Sequence, residues 1–205
     1  LGIGGITPSY GLLKQVMDTL SIPVFVLIRP RSGDFVYTDA EFKSMKSDIE
    51  LCKKLGCHGI VSGILKNDNT IDEERTKELT KISKPLPFTF HRAFDCVTNT
   101  EQALNILIEL DVKTILTSGQ QPTAENWIVL LTKLQEVADN KLTILAGGGI
   151  NPENASLFKK AGLQAIHASA STIINTNKSD VYFGKSQQTV SDTSTIRQLL
   201  KSIKD

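Results

Sequence analysis

The 205-residue sequence is poor in cysteine and in net charge, and each shortage excludes a class of protein. Three cysteines are an odd number and too few for a disulfide scaffold, which favours a reducing compartment and a cytoplasmic location. The formal net charge is +1, without the clustered basic stripe of a nucleic-acid-binding protein. No apolar run approaches the roughly 18 residues of a membrane span, and no secretory signal pattern is present. We therefore expect neither a nucleic-acid nor a membrane partner.

Hydrophobic residues make up 40% of the chain, enough for one globular domain over residues 1–205. Several segments are near-continuous in apolar and β-branched residues, as buried parallel strands are. The spacing between them leaves room for one crossover helix each. The six predicted strands are 23–29, 58–65, 86–92, 112–118, 142–147 and 164–169.

Capping signals mark where helices begin. Thr7 before Pro8 predicts an N-cap for a helix over 8–20. Thr38 with Glu41 predicts a capping box at the start of the next helix. Strands that alternate with helices, without a domain linker, indicate an α/β fold with a parallel sheet.

Two arrangements of such a sheet compete. An open doubly wound sheet tolerates six strands, whereas a TIM (β/α)8 barrel needs eight and usually about 250 residues. No GxGxxG motif follows the first visible strand, which argues against a dinucleotide-binding fold. The chain opens on the loop-like Leu1-Gly2-Ile3-Gly4-Gly5. We expect a TIM (β/α)8 barrel whose first βαβ portion is missing from this chain, with segments 86–92 and 142–147 as next-but-one neighbours.

Polar residues cluster where the predicted strands end, which is where a barrel carries its active site. His91 and Asp95 follow the third strand and are candidates for acid–base chemistry. Arg92 lies between them, and Arg29 and Arg31 follow the first strand; guanidinium groups suit a carboxylate or phosphate ligand. The alternative is structural, with Arg29 or Arg31 paired to Asp34 or Asp95 in internal ion pairs.

The last strand ends add small residues that admit an anion. The run Gly147-Gly148-Gly149 precedes Asn151-Pro152, which predicts a helix whose N-terminal N–H groups face a phosphate. The structural alternative is that these are simply tight turns. We expect one cleft that gathers Arg29, His91, Arg92, Ser118, Gly148 and His167, with Arg31, Gly147, Gly149 and Ser169 as further anion-binding candidates.

The thiols offer little for a metal. Cys52 falls on the apolar face of a helix, and no CxxC pair exists. Cys96 is the only cysteine beside the predicted mouth, and it is our one metal-ligand candidate. A single thiol with His91 makes a poor cage for a soft metal ion.

Six blocks of the chain resemble the CutC copper homeostasis family. In order they are GGITPSYGLLKQV, IRPRSGDFVY, LPFTFHRAFD, ILTSGQQPT, AGGGINPEN and IHASAS, which together run from Gly4 to Ser171. The resemblance implies a TIM barrel, a cytosolic location and a role in handling copper(I). It also implies a cysteine-bearing strand–helix–strand segment upstream of the first block, and Cys96 stands where relatives usually carry Met.

Two functions remain open from the sequence. The resemblance implies a cytosolic copper homeostasis protein that binds copper(I). The residues themselves favour an enzyme that acts on a small anionic or phosphorylated substrate, since arginines attract anions and repel cations. Whether the chain is an enzyme at all is left open, as is a homo-oligomeric state.

Overall fold

The computed structural model describes residues 4–174 and 188–204. Its centre is a six-stranded, all-parallel sheet whose strands lie side by side in chain order. The strands are β1 Phe25–Leu27, β2 Gly59–Ser62, β3 Phe88–Phe90, β4 Thr114–Thr117, β5 Thr143–Gly147 and β6 Ala165–His167.

This strand order decides between the two arrangements. A doubly wound sheet reverses its strand order at a switch point, and no reversal occurs here. Right-handed crossovers in one direction put every helix on the same face, as in a barrel. The chain therefore forms six consecutive strands of a TIM-type barrel, and all six predicted strands are confirmed. The third and fifth are next-but-one neighbours, as predicted.

Seven α-helices are present in the described residues. None of them combines the length and apolar character needed to cross a membrane. They are α1 Tyr10–Thr19, α2 Asp39–Lys54, α3 Glu73–Ser83, α4 Thr100–Glu109, α5 Ile128–Ala138, α6 Ala155–Lys160 and α7 Thr193–Ser202, with short 3-10 turns at Arg92–Cys96 and Ala124–Trp127.

The predicted capping box of α2 is confirmed, but the predicted cap of α1 is wrong. The Thr38 hydroxyl accepts from the Glu41 amide at 3.3 Å, and the Glu41 carboxylate accepts from the Thr38 amide at 2.8 Å. The N-cap of α1 is Ser9. Thr7 is not available as a cap because its hydroxyl accepts from the backbone N–H of Arg29 at 2.8 Å.

The helix predicted from Asn151-Pro152 begins later, at Ala155. The Asn151 side-chain oxygen accepts from the amides of Glu153 (3.0 Å) and Asn154 (3.1 Å). Such Asx turns compete with the helical conformation, so the first residues form a turn. The predicted start was therefore about one turn too early.

The core lies between the sheet and its helices, filled mainly by aliphatic and phenylalanine side chains. Along α2 one face is buried, including Met45 and Ile49 at 0% exposure and Cys52, as its place on the apolar face predicts. α7 is different, because Leu199 is buried whereas Ile196 and Leu200 are exposed. Residues 171–174 and 188–191 pair as an antiparallel hairpin that the sequence did not reveal.

Gly56 ends α2 in a conformation that a side chain resists. Its φ is +77°, and the amide of Cys57 donates to the carbonyl of Cys52 at 3.0 Å, as in a Schellman cap. We expect Gly56→Ala to lower the unfolding free energy by about 1 kcal/mol, because the left-handed conformation disfavours a Cβ. Urea denaturation measures this change. Gly11→Ala, within α1 and with open space around its Cβ, is the control and should be neutral or stabilising.

Candidate functional site

The most connected side chain at the carboxyl ends of the strands is the carboxylate of Asp95, in the 3-10 turn after β3. It accepts hydrogen bonds from the Thr117 hydroxyl and from the amides of Ser118 (3.0 Å) and Gln120 (3.2 Å). It also accepts from Nε of Arg92 at 2.7 Å. One carboxylate therefore ties the exit of β3 to the exit of β4 and holds an arginine in place.

Arg92 is fixed on two sides and open on a third. Nη2 donates to the Ser118 hydroxyl at 2.8 Å, and that hydroxyl lies 2.6 Å from the carbonyl oxygen of Gln121. The Arg92 side chain nevertheless keeps 46% of its surface exposed. A Cβ added to Gly148 would lie 3.7 Å from Nη1 of Arg92 and 3.1 Å from Cβ of Ser118. The exit of β5 thus packs directly against the guanidinium.

The glycine turn after β5 offers backbone donors at the same place. Gly148 and Gly149 both have positive φ, +116° and +73°. Their carbonyls accept from the Ala124 amide (2.9 Å) and the Asn154 side chain (3.1 Å). Within the described part of the chain, no acceptor takes the amide N–H of either glycine. Two peptide N–H groups of this turn therefore have no acceptor in the described residues, and one of them belongs to Gly148, which lies next to Arg92.

These N–H groups replace the ones we expected from a helix N-terminus. Because the Asn151 side chain already accepts from the first amides of the turn before α6, those donors are occupied. α6 itself has only six residues. The donors of this corner that keep no acceptor in the described residues therefore belong to the glycine turn and to Arg92, and the first amides before α6 do not add to them.

His167 borders the same corner from β6. It is the ladder partner of Gly147, where a Cβ would lie 3.3 Å from Cβ of His167. Loss of solvent contact lowers the pKa of His167, and the nearby Arg92 guanidinium lowers it further. Ser169 is exposed and its hydroxyl accepts from that of Ser171 at 3.4 Å.

Arg29 and Arg31 fasten loops on the opposite side of the mouth. Arg29 is 7% exposed and donates to the carbonyls of Gly5 (3.0 Å) and Gly33 (2.7 Å). Arg31 pairs with Asp34 at 2.9 Å and with Glu41 at 2.6 Å. The structural alternative thus holds for Arg31, whereas Asp95 pairs with Arg92.

His91 lies with Arg29 rather than with Asp95. Its ring centroid is 4.8 Å from that of Phe35, and the Arg29 guanidinium carbon lies 5.0 Å from the same phenylalanine centroid. Among the described residues no hydrogen bond joins His91 to Asp95, and Nδ1 of His91 instead accepts from the Ala93 amide at 3.2 Å. Burial, with a smaller contribution from Arg29, lowers the pKa of His91 to about 3.

The predicted site residues therefore fall into two groups by contact. In the first group, Arg92, Asp95 and Ser118 lie beside Gly148 and His167, at the exits of β5 and β6. In the second group, His91 lies beside Arg29, near the exits of β1 and β2. That the two groups share one cleft stays a prediction. Phe35 was missed because it reaches His91 only through the fold. Gly63 carried a signal, since an isolated glycine in a strand pattern marks a close approach, and a Cβ there would lie 2.7 Å from Nδ1 of His91.

The cysteines do not assemble a metal site in the described residues. Cys52 and Cys57 are buried, and Cys96 is exposed. Burial raises the pKa of Cys52 to about 12, and it raises that of Cys96, to which the Asp95 carboxylate also contributes. No group of three or more His, Cys, Asp or Glu side chains could hold a metal ion within residues 4–174 and 188–204.

Together these features define a parallel (β/α)-barrel protein with a polar mouth built around Arg92 and Asp95. The chain belongs to the CutC family, whose model matches residues 1–172. It is 46% identical over 167 residues to a CutC family protein of Klebsiella pneumoniae, covering 82% of this chain and 67% of the relative. A CutC protein of Edwardsiella ictaluri is 48% identical over 167 residues, with 82% and 66% covered. The chain thus spans about two thirds of the length of these relatives.

Solved structures agree with the fold. A crystal structure of CutC from Streptococcus agalactiae, named for copper homeostasis, matches with a TM-score of 0.76 and 36% identity, covering 82% of this chain and 83% of that one. A phosphoribosylanthranilate isomerase from Pyrococcus furiosus matches with a TM-score of 0.56 at 15% identity, over 96% of this chain and 81% of that one. The second match supports the barrel fold alone.

The buried His91 predicts a loss of stability in acid. The unfolded chain binds a proton on this histidine below about pH 6.5, and the folded chain binds it only near pH 3. Between these values the unfolded state holds more protons, so stability falls as pH falls, by up to about 1.4 kcal/mol per pH unit. Urea denaturation from about pH 7 to about pH 4 measures this slope.

His91→Gln should flatten the slope, because the titrating group is gone. The control is Gln15→Ala, at an exposed glutamine of α1 that carries no titrating group, which should leave the slope unchanged. An equal slope in the wild type and in His91→Gln would contradict the expectation.

Proposed function

We propose that the barrel mouth binds a small oxyanion, a phosphate or a carboxylate, and that the chain is an enzyme acting on a substrate of this kind. The observation that carries the proposal is the half-exposed Arg92, held by Asp95 and Ser118 beside the free amides of Gly148 and Gly149. A guanidinium and neighbouring peptide N–H groups without acceptors complement an oxyanion in both charge and hydrogen bonding.

The balance of charge at this corner supports the same proposal. Asp95 balances the charge of Arg92 through Nε, but Nη1 of the half-exposed guanidinium has no acceptor in the described residues and can take a further oxygen. The remaining face of the guanidinium is directed to the glycine turn and His167. TIM barrels often carry their phosphate site in the loops after the last two strands, and β5 and β6 are the last parallel strands here.

Phosphate is expected to stabilise the folded protein against heat. A ligand at about ten times its Kd adds about 1.4 kcal/mol, which is about 3–6 °C in Tm for a chain of this size. Differential scanning fluorimetry in phosphate, against chloride of equal ionic strength, measures the shift. Arg92→Gln should abolish it, whereas Arg197→Gln, at an exposed arginine on α7, should retain it.

The two outcomes separate cleanly. A rise in Tm that survives Arg92→Gln would move the site elsewhere. No rise beyond that in chloride would remove the oxyanion proposal. Arg29→Ala is a less specific test, because Arg29 holds the loop carbonyls of Gly5 and Gly33 and its removal lowers stability without any ligand.

The second candidate is a role in copper(I) handling in the cytosol. It is favoured by the name of the streptococcal relative, which is 36% identical, and by three free thiols, which suit a reducing compartment. Copper(I) would be cargo that a soft ligand set must hold. The residues described here do not fit that demand, since Cys96 has no second thiol beside it and Cys52 and Cys57 belong to the core.

We accordingly expect no tight copper(I) site in this chain. Competition with a chromogenic copper(I) chelator measures how much metal the protein retains. The wild type and Cys96→Ser should both retain well under one copper(I) per chain. Stoichiometric retention that Cys96→Ser abolishes would favour the copper candidate over the oxyanion one.

A further inference from the structure

His91 carries a polar atom that the fold leaves unused. The residue is 5% exposed, and its Nε2 has no hydrogen-bond partner in the described part of the chain. Buried polar atoms are nearly always paired, because leaving one unpaired costs free energy. An unpaired atom at the carboxyl end of a barrel strand is therefore a candidate contact for a ligand.

The neighbouring backbone fixes which nitrogen carries the proton. The Ala93 amide donates to Nδ1 of His91 at 3.2 Å, so Nδ1 presents its lone pair. A neutral imidazole then carries its proton on Nε2. Burial keeps the ring neutral, since it lowers the pKa of His91. The unused atom is thus a hydrogen-bond donor.

The packing around the ring holds that donor in place. Phe35 lies on one side at 4.8 Å between ring centroids, and Phe90 lies edge-on at 6.1 Å. Gly63 closes a third side so tightly that a Cβ there would lie 2.8 Å from Cε1 of His91. A flipped ring would turn a C–H toward the Ala93 amide, so the observed orientation is the favourable one.

This tautomer excludes a metal ion at Nε2. A metal ligand needs the Nε2 lone pair, which would move the ring proton to Nδ1. Two N–H groups, from Nδ1 and from Ala93, would then face each other across 3.2 Å. The group that complements His91 is therefore an oxygen acceptor and not copper(I).

Arg29 indicates the charge of that acceptor. Its guanidinium carbon lies 5.0 Å from the centroid of Phe35, the same ring that packs on His91. A positive charge on this side of the mouth favours an anionic oxygen over a neutral one. Phe35 is only partly buried whereas Phe90 is fully buried, so Phe35 is the ring neighbour of His91 that can move most easily.

We propose that Nε2–H of His91 donates a hydrogen bond to a carboxylate oxygen of a small ligand, which enters the mouth as the ring of Phe35 moves aside. This site is separate from the oxyanion corner at Arg92, because it rests on His91, Ala93 and Phe35.

Long-range 1H–15N correlation spectra of the imidazole groups test the proposal on the intact chain. The chain has three histidines, and His91→Gln assigns the His91 signals. Without ligand we expect the Nε2–H tautomer of a neutral ring. Acetate, as the probe, should shift the Nε2 signal in a saturable way, whereas chloride of equal ionic strength should not. The same titration of Phe35→Ala should reach half-saturation at a severalfold lower acetate concentration.

Three results would overturn the proposal. The first is an Nδ1–H tautomer in the free protein. The second is a His91 signal that acetate leaves unchanged in both the wild type and a folded Phe35→Ala variant. The third is loss of the Nε2 proton on addition of copper(I). Arg92→Gln should leave the acetate shift intact, so this test stands even if the phosphate site fails; loss of the shift there would show that it is transmitted from Arg92 and would count against His91.

Discussion

The hydrogen bonds that converge on the Asp95 carboxylate are the interaction on which the barrel mouth depends. Its two oxygens accept from the hydroxyl of Thr117, the last residue of β4, and from the amides of Ser118 and Gln120 in the loop that follows. The same group orients Arg92 from its own turn. Because Asp95 is nearly buried, removing its charge would leave several donors unpaired at once, which is costly in a low dielectric. The shape of the mouth and the position of its half-exposed cation are therefore set together.

The end of β3 separates two sides of the mouth, because the side chains of the consecutive residues His91 and Arg92 contact different loops. His91 turns toward the loops after β1 and β2, where Phe35 and Gly63 enclose it. Arg92 turns toward the loops after β4 and β5. One side is buried and holds a neutral donor near the Arg29 guanidinium, and the other is partly exposed and holds the Arg92 guanidinium. A ligand that used both sides would meet two different electrostatic environments within one residue of backbone.

Most of the fold could be predicted because its signals are local. Parallel strands buried on both faces have continuous apolar runs, and the capping box of α2 lies within four residues. The position of the site could be predicted, since polar residues at strand ends are visible in the sequence. The hydrogen-bond and ion-pair partners of those residues could not. No local sequence pattern indicates that the Thr7 hydroxyl binds the backbone of Arg29 instead of capping α1. None indicates either that Asp95 pairs with Arg92 and not with Arg29. Those choices depend on which loops the six-stranded parallel sheet brings together.

The contacts made by the loops also distinguish Arg29 and Arg31 from Arg92 in their capacity to bind an anion. Arg29 and Arg31 are both at a strand exit, and both look equally suited to an anion in the sequence. In the fold, two N–H groups of Arg29 donate to the carbonyls of Gly5 and Gly33, and Arg31 is held by Asp34 and Glu41. Arg92 has only one carboxylate partner, keeps nearly half of its side chain exposed and faces a glycine turn with free amides. An incoming anion gains most from donors that are exposed and already in place, which is why we place the proposed oxyanion site at Arg92.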